Sequence, residues 1–254
     1  MFSLYREVLP EAFRRSWKSW PVALSLVVYA AILIAAMLFA SRLGIIGSLL
    51  MGLVSAACWS SYLELISQAV RAPRFQLSWA EFKGTFLARF SDVISVMFAF
   101  WIISFVTNPL SQGPRGAAIG AIIGFAMAFF FNAVPELLYQ GSSRSFVLLV
   151  DSGKFAMEHP VAWFLPNVIF AALAFAPVGM LDVRHPAELL VLFGSTFSSP
   201  SGVAALFSRL PIWGMPIALL GLHFVMVFRG LLFHALVSGC GNPRLRDFRR
   251  KMGR

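Results

Sequence analysis

The chain is poor in acid, histidine and cysteine. Of its 254 residues, 11 are Asp or Glu, 4 are His and 2 are Cys. The two cysteines, Cys58 and Cys240, sit within or at the end of apolar runs and form no CxxC or Cys/His spacing. That excludes a zinc ribbon and a disulfide framework. The chain also lacks an HExxH helix, a GxSxG elbow, a P-loop and a dinucleotide-binding glycine pattern. No cofactor is implied, and the expected class is non-enzymatic. Charge of either sign is scarce at 13%, about half the usual quarter. What fills the space is apolar. Hydrophobic residues make up 59% of the chain and the mean hydropathy is +0.78. A chain of this size cannot hide that much apolar surface in one water-soluble core. Disorder is excluded by the same numbers.

Six stretches are long enough to cross about 30 Å of hydrocarbon as helices. They are Pro21–Ala40, Gly44–Val70, Val93–Leu110, Ala117–Gln140, Val161–Leu181 and Trp213–Cys240. Only Ser41, Arg42 and Leu43 separate the first two, which fixes a tight hairpin. The first apolar run is too long for a cleaved signal peptide and reads as a retained span. The expected fold is all-α and polytopic, with six transmembrane helices in three hairpins.

The formal charge is +10, and it is sorted along the chain. One side of the six-span layout collects Arg6, Arg14, Arg15, Lys18, Arg71, Arg74, Lys83, Arg89, Arg144, Lys154, Arg244, Arg246, Arg249, Arg250, Lys251 and Arg254. The other side has Arg42, Arg115, Arg184 and Arg209. Basic residues favour the cytoplasmic side. The expected location is therefore a bacterial inner membrane with both termini in the cytoplasm. The excess is a topology signal and an anionic-lipid footprint, not evidence for nucleic acid. Arg14, Arg15, Lys18, Arg71, Arg74, Lys83, Arg89, Arg246, Arg249, Arg250 and Lys251 are the expected contacts to anionic lipid or to a protein partner.

An amphipathic segment precedes each hairpin. Residues 2–20 place Phe2, Tyr5, Leu9, Phe13, Trp17 and Trp20 on one helical stripe, with Arg6, Glu7, Glu11, Arg14, Arg15 and Lys18 on the other face. Residues 78–90 repeat the pattern with Trp79, Phe82, Phe86 and Phe90. Residues 144–158 repeat it with Phe146, Leu149, Val150 and Phe155 against Asp151, Lys154 and Glu158. Such helices lie in the membrane interface, unless their apolar faces pack on neighbouring spans. The order of elements implies parallel repeats of 1–70, 71–140 and 141–254 within a single membrane domain. Residues 182–212 are an outer insertion, read as re-entrant or interfacial helices, a cap, or a docking surface for a protein partner. Residues 241–254 are a basic tail.

Charges inside spans are costly and mark candidate sites. Here they are Glu64, Glu136 and Arg229, with His223 and His234 flanking Arg229. A cluster of these groups has a structural reading, in which paired charges hold helices together, and an alternative reading as the polar path of a small transporter or channel. Gly44, Ser48 and Gly52, and Gly116, Gly120 and Gly124, are small-residue runs suited to close helix packing. Pro135, Pro166, Pro177 and Pro216 interrupt spans.

The Glu136-Leu137-Leu138 segment leading into Val150-Asp151-Ser152-Gly153-Lys154-Phe155, with the order of amphipathic helix then hairpin, resembles a loose group of bacterial six-span membrane proteins. That group is similar to the membrane domain fused to some glycerophosphodiester phosphodiesterases. The resemblance implies a membrane part without catalytic residues. The broader expectation is a protein that organises lipid or anchors an envelope complex.

Overall fold

Proline, glycine and single polar residues punctuate the apolar runs, and the helices follow that punctuation. A computed structural model describes residues 2–72, 78–107, 109–111, 116–141, 146–175 and 215–239. The insertion at 182–212, the tail at 241–254, Arg74, Arg144, Pro177 and Cys240 lie outside the described residues. Among the described residues the regular structure is entirely helical. The helices are α1 (Phe2–Lys18), α2 (Trp20–Ala40), α3 (Ile45–Arg71), α4 (Trp79–Ala88), α5 (Phe90–Thr107), α6 (Gly116–Phe130), α7 (Val134–Gln140), α8 (Phe146–Glu158), α9 (Pro160–Phe175) and α10 (Met215–Gly239).

Five stretches are long and apolar enough to cross a membrane: Trp20–Ala40, Ile45–Arg71, Phe90–Thr107, Ala118–Gln140 and Pro216–Ser238. This is a multi-pass membrane protein. The stretch expected to be the fifth span is represented by a shorter apolar helix, Pro160–Phe170. The expected range of that span, to residue 181, runs past the last described residue of α9.

The described residues fall into two compact units. One holds those of Met1–Ile94, Leu138–Gly141 and Leu219–Arg254, the other those of Ser95–Leu137 and Ser142–Ala218. In the first unit α2 packs along α3, and α3 along α4. The α2–α3 turn needs Gly44, whose φ of 55° is a left-handed value that disfavours side chains. Three residues on, α3 presses against the end of α2. A Cβ at Gly47 would collide with the carbonyl oxygen of Ala40, whereas one at Gly52 would meet open space. The close approach is thus made by Gly47, not by the Gly44-Ser48-Gly52 run that the spacing singled out.

A chain of hydroxyls joins α2, α3 and α4. Thr85 Oγ1 donates to the Phe82 carbonyl at 2.6 Å, so it accepts from Ser61 Oγ at 2.5 Å. Ser61 has then spent its proton and accepts from Tyr29 Oη at 2.7 Å. A hydroxyl carries one donor, so the end anchored on the Phe82 carbonyl sets the direction of every bond. In a setting without water these bonds satisfy groups that are otherwise costly to bury.

In the second unit the fourth apolar stretch is broken. α6 ends at Phe130, residues 131–133 form a turn, and α7 restarts at Val134. Pro135 is the cause. It has no N–H for the Phe131 carbonyl and its ring crowds that oxygen. The Phe131 carbonyl accepts from Val134 N at 3.2 Å, a tighter three-residue bond. Side chains stabilise the break: Ser152 Oγ donates to the Phe130 carbonyl at 2.7 Å, and Trp163 Nε1 donates to Asn132 Oδ1 at 2.9 Å.

Candidate functional site

The first candidate region is α1, and its burial runs opposite to that of a soluble helix. Val8, Ala12 and Ser16 face inward, together with Ser19 just beyond the helix. Leu9, Phe13, Trp17 and Trp20 face outward, with Phe13, Trp17 and Trp20 exposed by 63%, 70% and 51%. Small residues let the helix sit close against its neighbours, and the large aromatics point away from the protein. Phe13 and Trp17 stack at 6.4 Å, and Phe13 meets Phe224 edge-on at the same distance.

Glu11 binds two of the arginines beside that face. Arg14 contacts both carboxylate oxygens, at 3.0 and 2.9 Å, and Arg15 Nε contacts Oε1 at 2.6 Å. The Arg14 and Arg15 hydrogen bonds hold the Glu11 carboxyl at about 2, well below its ordinary value. Lys18 is exposed on the same helix.

Helix α1 stops at Lys18 and α2 starts at Trp20, so one residue turns the chain. Ser19 Oγ donates to the Arg15 carbonyl at 2.8 Å, which leaves it to accept from His223 Nε2 at 2.9 Å. That bookkeeping places a proton on His223 Nε2. His223 is fully buried, whereas His234 is exposed, with Ser238 Oγ 3.5 Å from its Nδ1. The two return to nearly one helical angle but stand about 16 Å apart along the axis, so they occupy different environments.

The second region is the helix-end cluster around Arg89. Arg89 Nε donates to Glu64 Oε2 at 2.9 Å, with the two side chains 19% and 22% exposed. Its other nitrogens donate to the carbonyls of Leu138, at 2.5 Å, and Tyr139, at 3.3 Å. Arg71 Nη2 also donates to the Tyr139 carbonyl at 2.6 Å, and Ser67 Oγ does so at 3.3 Å. Arg15 Nη1 donates to the Val70 carbonyl. The last carbonyls of a helix have no partner within it and carry partial negative charge, which cations relieve. Three arginines therefore cap the ends of α3 and α7.

This geometry redistributes the sequence candidates. Glu64 is held by Arg89, a residue expected on the headgroup side, and not by the cluster anticipated with Glu136 and Arg229. Glu136 is fully buried in the first turn of α7, where the helix dipole favours an acid. Arg229 is 1% exposed in α10 and stands beside Gly230, whose hydrogen leaves room for Tyr139, Val70 and Gln140. Gln140 Nε2 donates to the Gly230 carbonyl at 2.8 Å. Lys83 lies 5.2 Å over the ring of the exposed Trp79. Asp151, expected on the water-facing side of α8, is buried with Lys154 4.0 Å away, while Phe146 and Val150 face outward. Arg74, Arg246, Arg249, Arg250 and Lys251 lie outside the described residues.

Sequence reasoning missed the capping box that starts α4. Ser78 Oγ accepts from Glu81 N at 3.2 Å and Glu81 Oε2 accepts from Ser78 N at 2.9 Å. The signal was present as Ser-x-x-Glu. Those bonds lower the Glu81 carboxyl from its ordinary value. Among the described residues no group of three His, Cys, Asp or Glu could hold a metal ion. No family model matches the chain, and no curated protein and no solved structure matches it either.

Proposed function

We propose that the protein is a non-enzymatic scaffold of the bacterial inner membrane, organising anionic lipid or anchoring an envelope complex. The observation that carries this reading is the outward aromatic face of α1 beside Arg14 and Lys18. Aromatic rings flanked by cations suit the headgroup level of a bilayer. In this reading α1, α4 and α8 lie in the cytoplasmic interface and each precedes a hairpin, giving six spans in three parallel units with both termini cytoplasmic. Protein partners are proposed to bind through the 182–212 segment or the cytoplasmic helices. A transport path through Glu64, Glu136 and Arg229 is the less favoured reading, because the Glu64 carboxylate is committed to Arg89.

The test uses nitroxide labels placed singly at positions 13, 14 and 17 in lipid vesicles, with native cysteines replaced. Labels at 13 and 17 should collide with dissolved oxygen more than with a water-soluble nickel complex, and the label at 14 should show the reverse. Aqueous behaviour at all three positions would refute the interfacial assignment.

A further inference from the structure

Three buried polar residues make bonds of one kind. Ser60 in α3 accepts from the Arg89 backbone N–H at 3.0 Å, where α4 gives way to α5. Asn132, in the turn between α6 and α7, accepts from Trp163 Nε1 at 2.9 Å, in the first turn of α9 just after α8. His223 in α10 donates to Ser19 Oγ at 2.9 Å, where α1 gives way to α2. Each of the three lies in the second apolar stretch of a hairpin. Each holds the chain near the point where an amphipathic helix hands over to the next span. All three are almost fully buried, so each bond is costly to lose.

Sequence spacing makes the three positions equivalent. Tyr62–Gln68 and Val134–Gln140 share the Glu-Leu pair and the closing Gln at a displacement of 72 residues. The same displacement carries Ser60 onto Asn132 and Ser67 onto Tyr139. Ser67 Oγ donates to the Tyr139 carbonyl at 3.3 Å, so two equivalent positions meet. The step from Ser60 to Ser67, and from Asn132 to Tyr139, also runs from His223 to Gly230. Gly230 completes the set. A Cβ there would strike Tyr139 Oη and Val70, and Gln140 Nε2 donates to the Gly230 carbonyl at 2.8 Å. That common step is about two helical turns. Each second stretch thus carries one residue that meets another second stretch and, two turns earlier, one that holds a junction.

α4 packs along α3, and α8 packs against α6. Each is seated on the second stretch of the hairpin before it. α1 precedes the α2–α3 hairpin, yet its end is held by His223 of α10, and Phe13 meets Phe224 of α10 edge-on at 6.4 Å.

We propose that the His223–Phe224 face of α10 is the docking surface for α1. On α10, α1 takes the place that α4 takes on α3 and α8 takes on α6, so the helix that opens the first unit completes the last. A repeat unit leaves an apolar face that only a neighbour can cover, and here the first element of the chain supplies that cover. The proposal rests on the three-unit layout above and not on which faces lipid covers.

The experiment reads nitroxide mobility in the full-length protein in lipid vesicles, with native cysteines replaced. Single labels stand at the exposed positions 17 on α1, 79 on α4 and 157 on α8. His223→Ala and Phe224→Ala should each loosen the label at 17 and leave 79 as in wild type, which also shows that the fold persists. His223→Gln keeps an N–H donor for Ser19 and should restore the immobilised spectrum at 17. Asn132→Ala should loosen 157 and leave 17 in place. Arg15→Gln, which removes the bond from α1 to the Val70 carbonyl of α3, should loosen 17 less than His223→Ala does. Should His223→Ala fail to fold, Phe224→Ala carries the comparison, since Phe224 is only half-buried. A label at 17 that loosens in Arg15→Gln and stays immobile in both α10 variants assigns α1 to α3 and overturns the proposal. Loosening of 17 and not 157 by Asn132→Ala overturns the equivalence of the three positions. Mobility reports seating, whereas oxygen and nickel collisions report depth, so failure of the docking and failure of the interfacial reading are separately visible.

Discussion

At the scale of single residues, the largest expected effect belongs to Arg89. It closes an ion pair and caps two carbonyls, and the paired side chains are largely buried. Arg89→Ala strands the Glu64 carboxylate and should cost roughly 2 to 4 kcal/mol. Glu64→Gln keeps an acceptor and should cost about 1 kcal/mol. Thermal unfolding in lipid nanodiscs checks both, and equal midpoints would show that the pair contributes nothing. Glu11 offers a pH test. Its carboxyl is held at about 2 against an ordinary 4.5. The stability it adds is therefore complete above about pH 4.5 and is lost as pH falls toward 2. A nitroxide at position 17 should become more mobile over that window, and Glu11→Gln should be mobile at every pH. The sequence offered Glu64 as a site through the cost of an intramembrane charge. It offered no way to choose Arg89 over Arg229 as its partner, because partner choice depends on where the α4 end lands and not on either residue's own span.

Among the helices, apolar periodicity and punctuation carried most of the legible information. The first two spans were readable to within a residue or two, because Pro21 and the three-residue connection mark their ends. The break in the fourth stretch was readable from Pro135. Its position, four residues upstream at Phe131, follows from where a proline ring clashes. The packing register was not readable. Glycine at spacing four named Gly52, while the contact is made by Gly47, since spacing within one helix does not say where its neighbour comes close. Paired substitutions separate the two. Gly47→Ala should destabilise by about 1 to 3 kcal/mol through overpacking against Ala40. Gly52→Ala should be neutral or stabilise by up to about 1 kcal/mol through helix propensity. Denaturation of each variant in mixed micelles gives the comparison, and similar behaviour of the two would contradict the register. The hydroxyl chain was also hidden, because Tyr29, Ser61 and Thr85 lie far apart in sequence and each looks like an isolated polar residue. Tyr29→Phe leaves Ser61 short of a donor and should cost about 1 kcal/mol in the same measurement.

For the whole molecule, composition alone established a membrane protein, and five apolar stretches agree with that. Orientation rests on the sorting of basic residues, which is a property of the chain and not of any contact. Labelling of single cysteines at position 3 and in the 241–254 tail should find both accessible from the same side of inverted vesicles. Opposite accessibility would rule out an even number of spans. The aromatic stripes show why the candidate surface was only half legible. On α1 the stripe faces outward, whereas on α4 Phe82 is buried against the protein and Trp79 is exposed. Periodicity defines a face, but it does not say whether lipid or protein covers it.

The bond between Ser19 and His223 spans 204 residues, and it has a consequence in time. A chain made at roughly 5 to 20 residues per second leaves about 10 to 40 s between the emergence of the two partners. During that interval α1 exists without the histidine that fixes its end. The bond from Arg15 to the Val70 carbonyl, across 55 residues, can thus tie α1 to α3 well before its end is pinned. Under the proposed interfacial placement, the aromatic face of α1 meets the bilayer before His223 can fix the helix end, and the membrane acts as an early template.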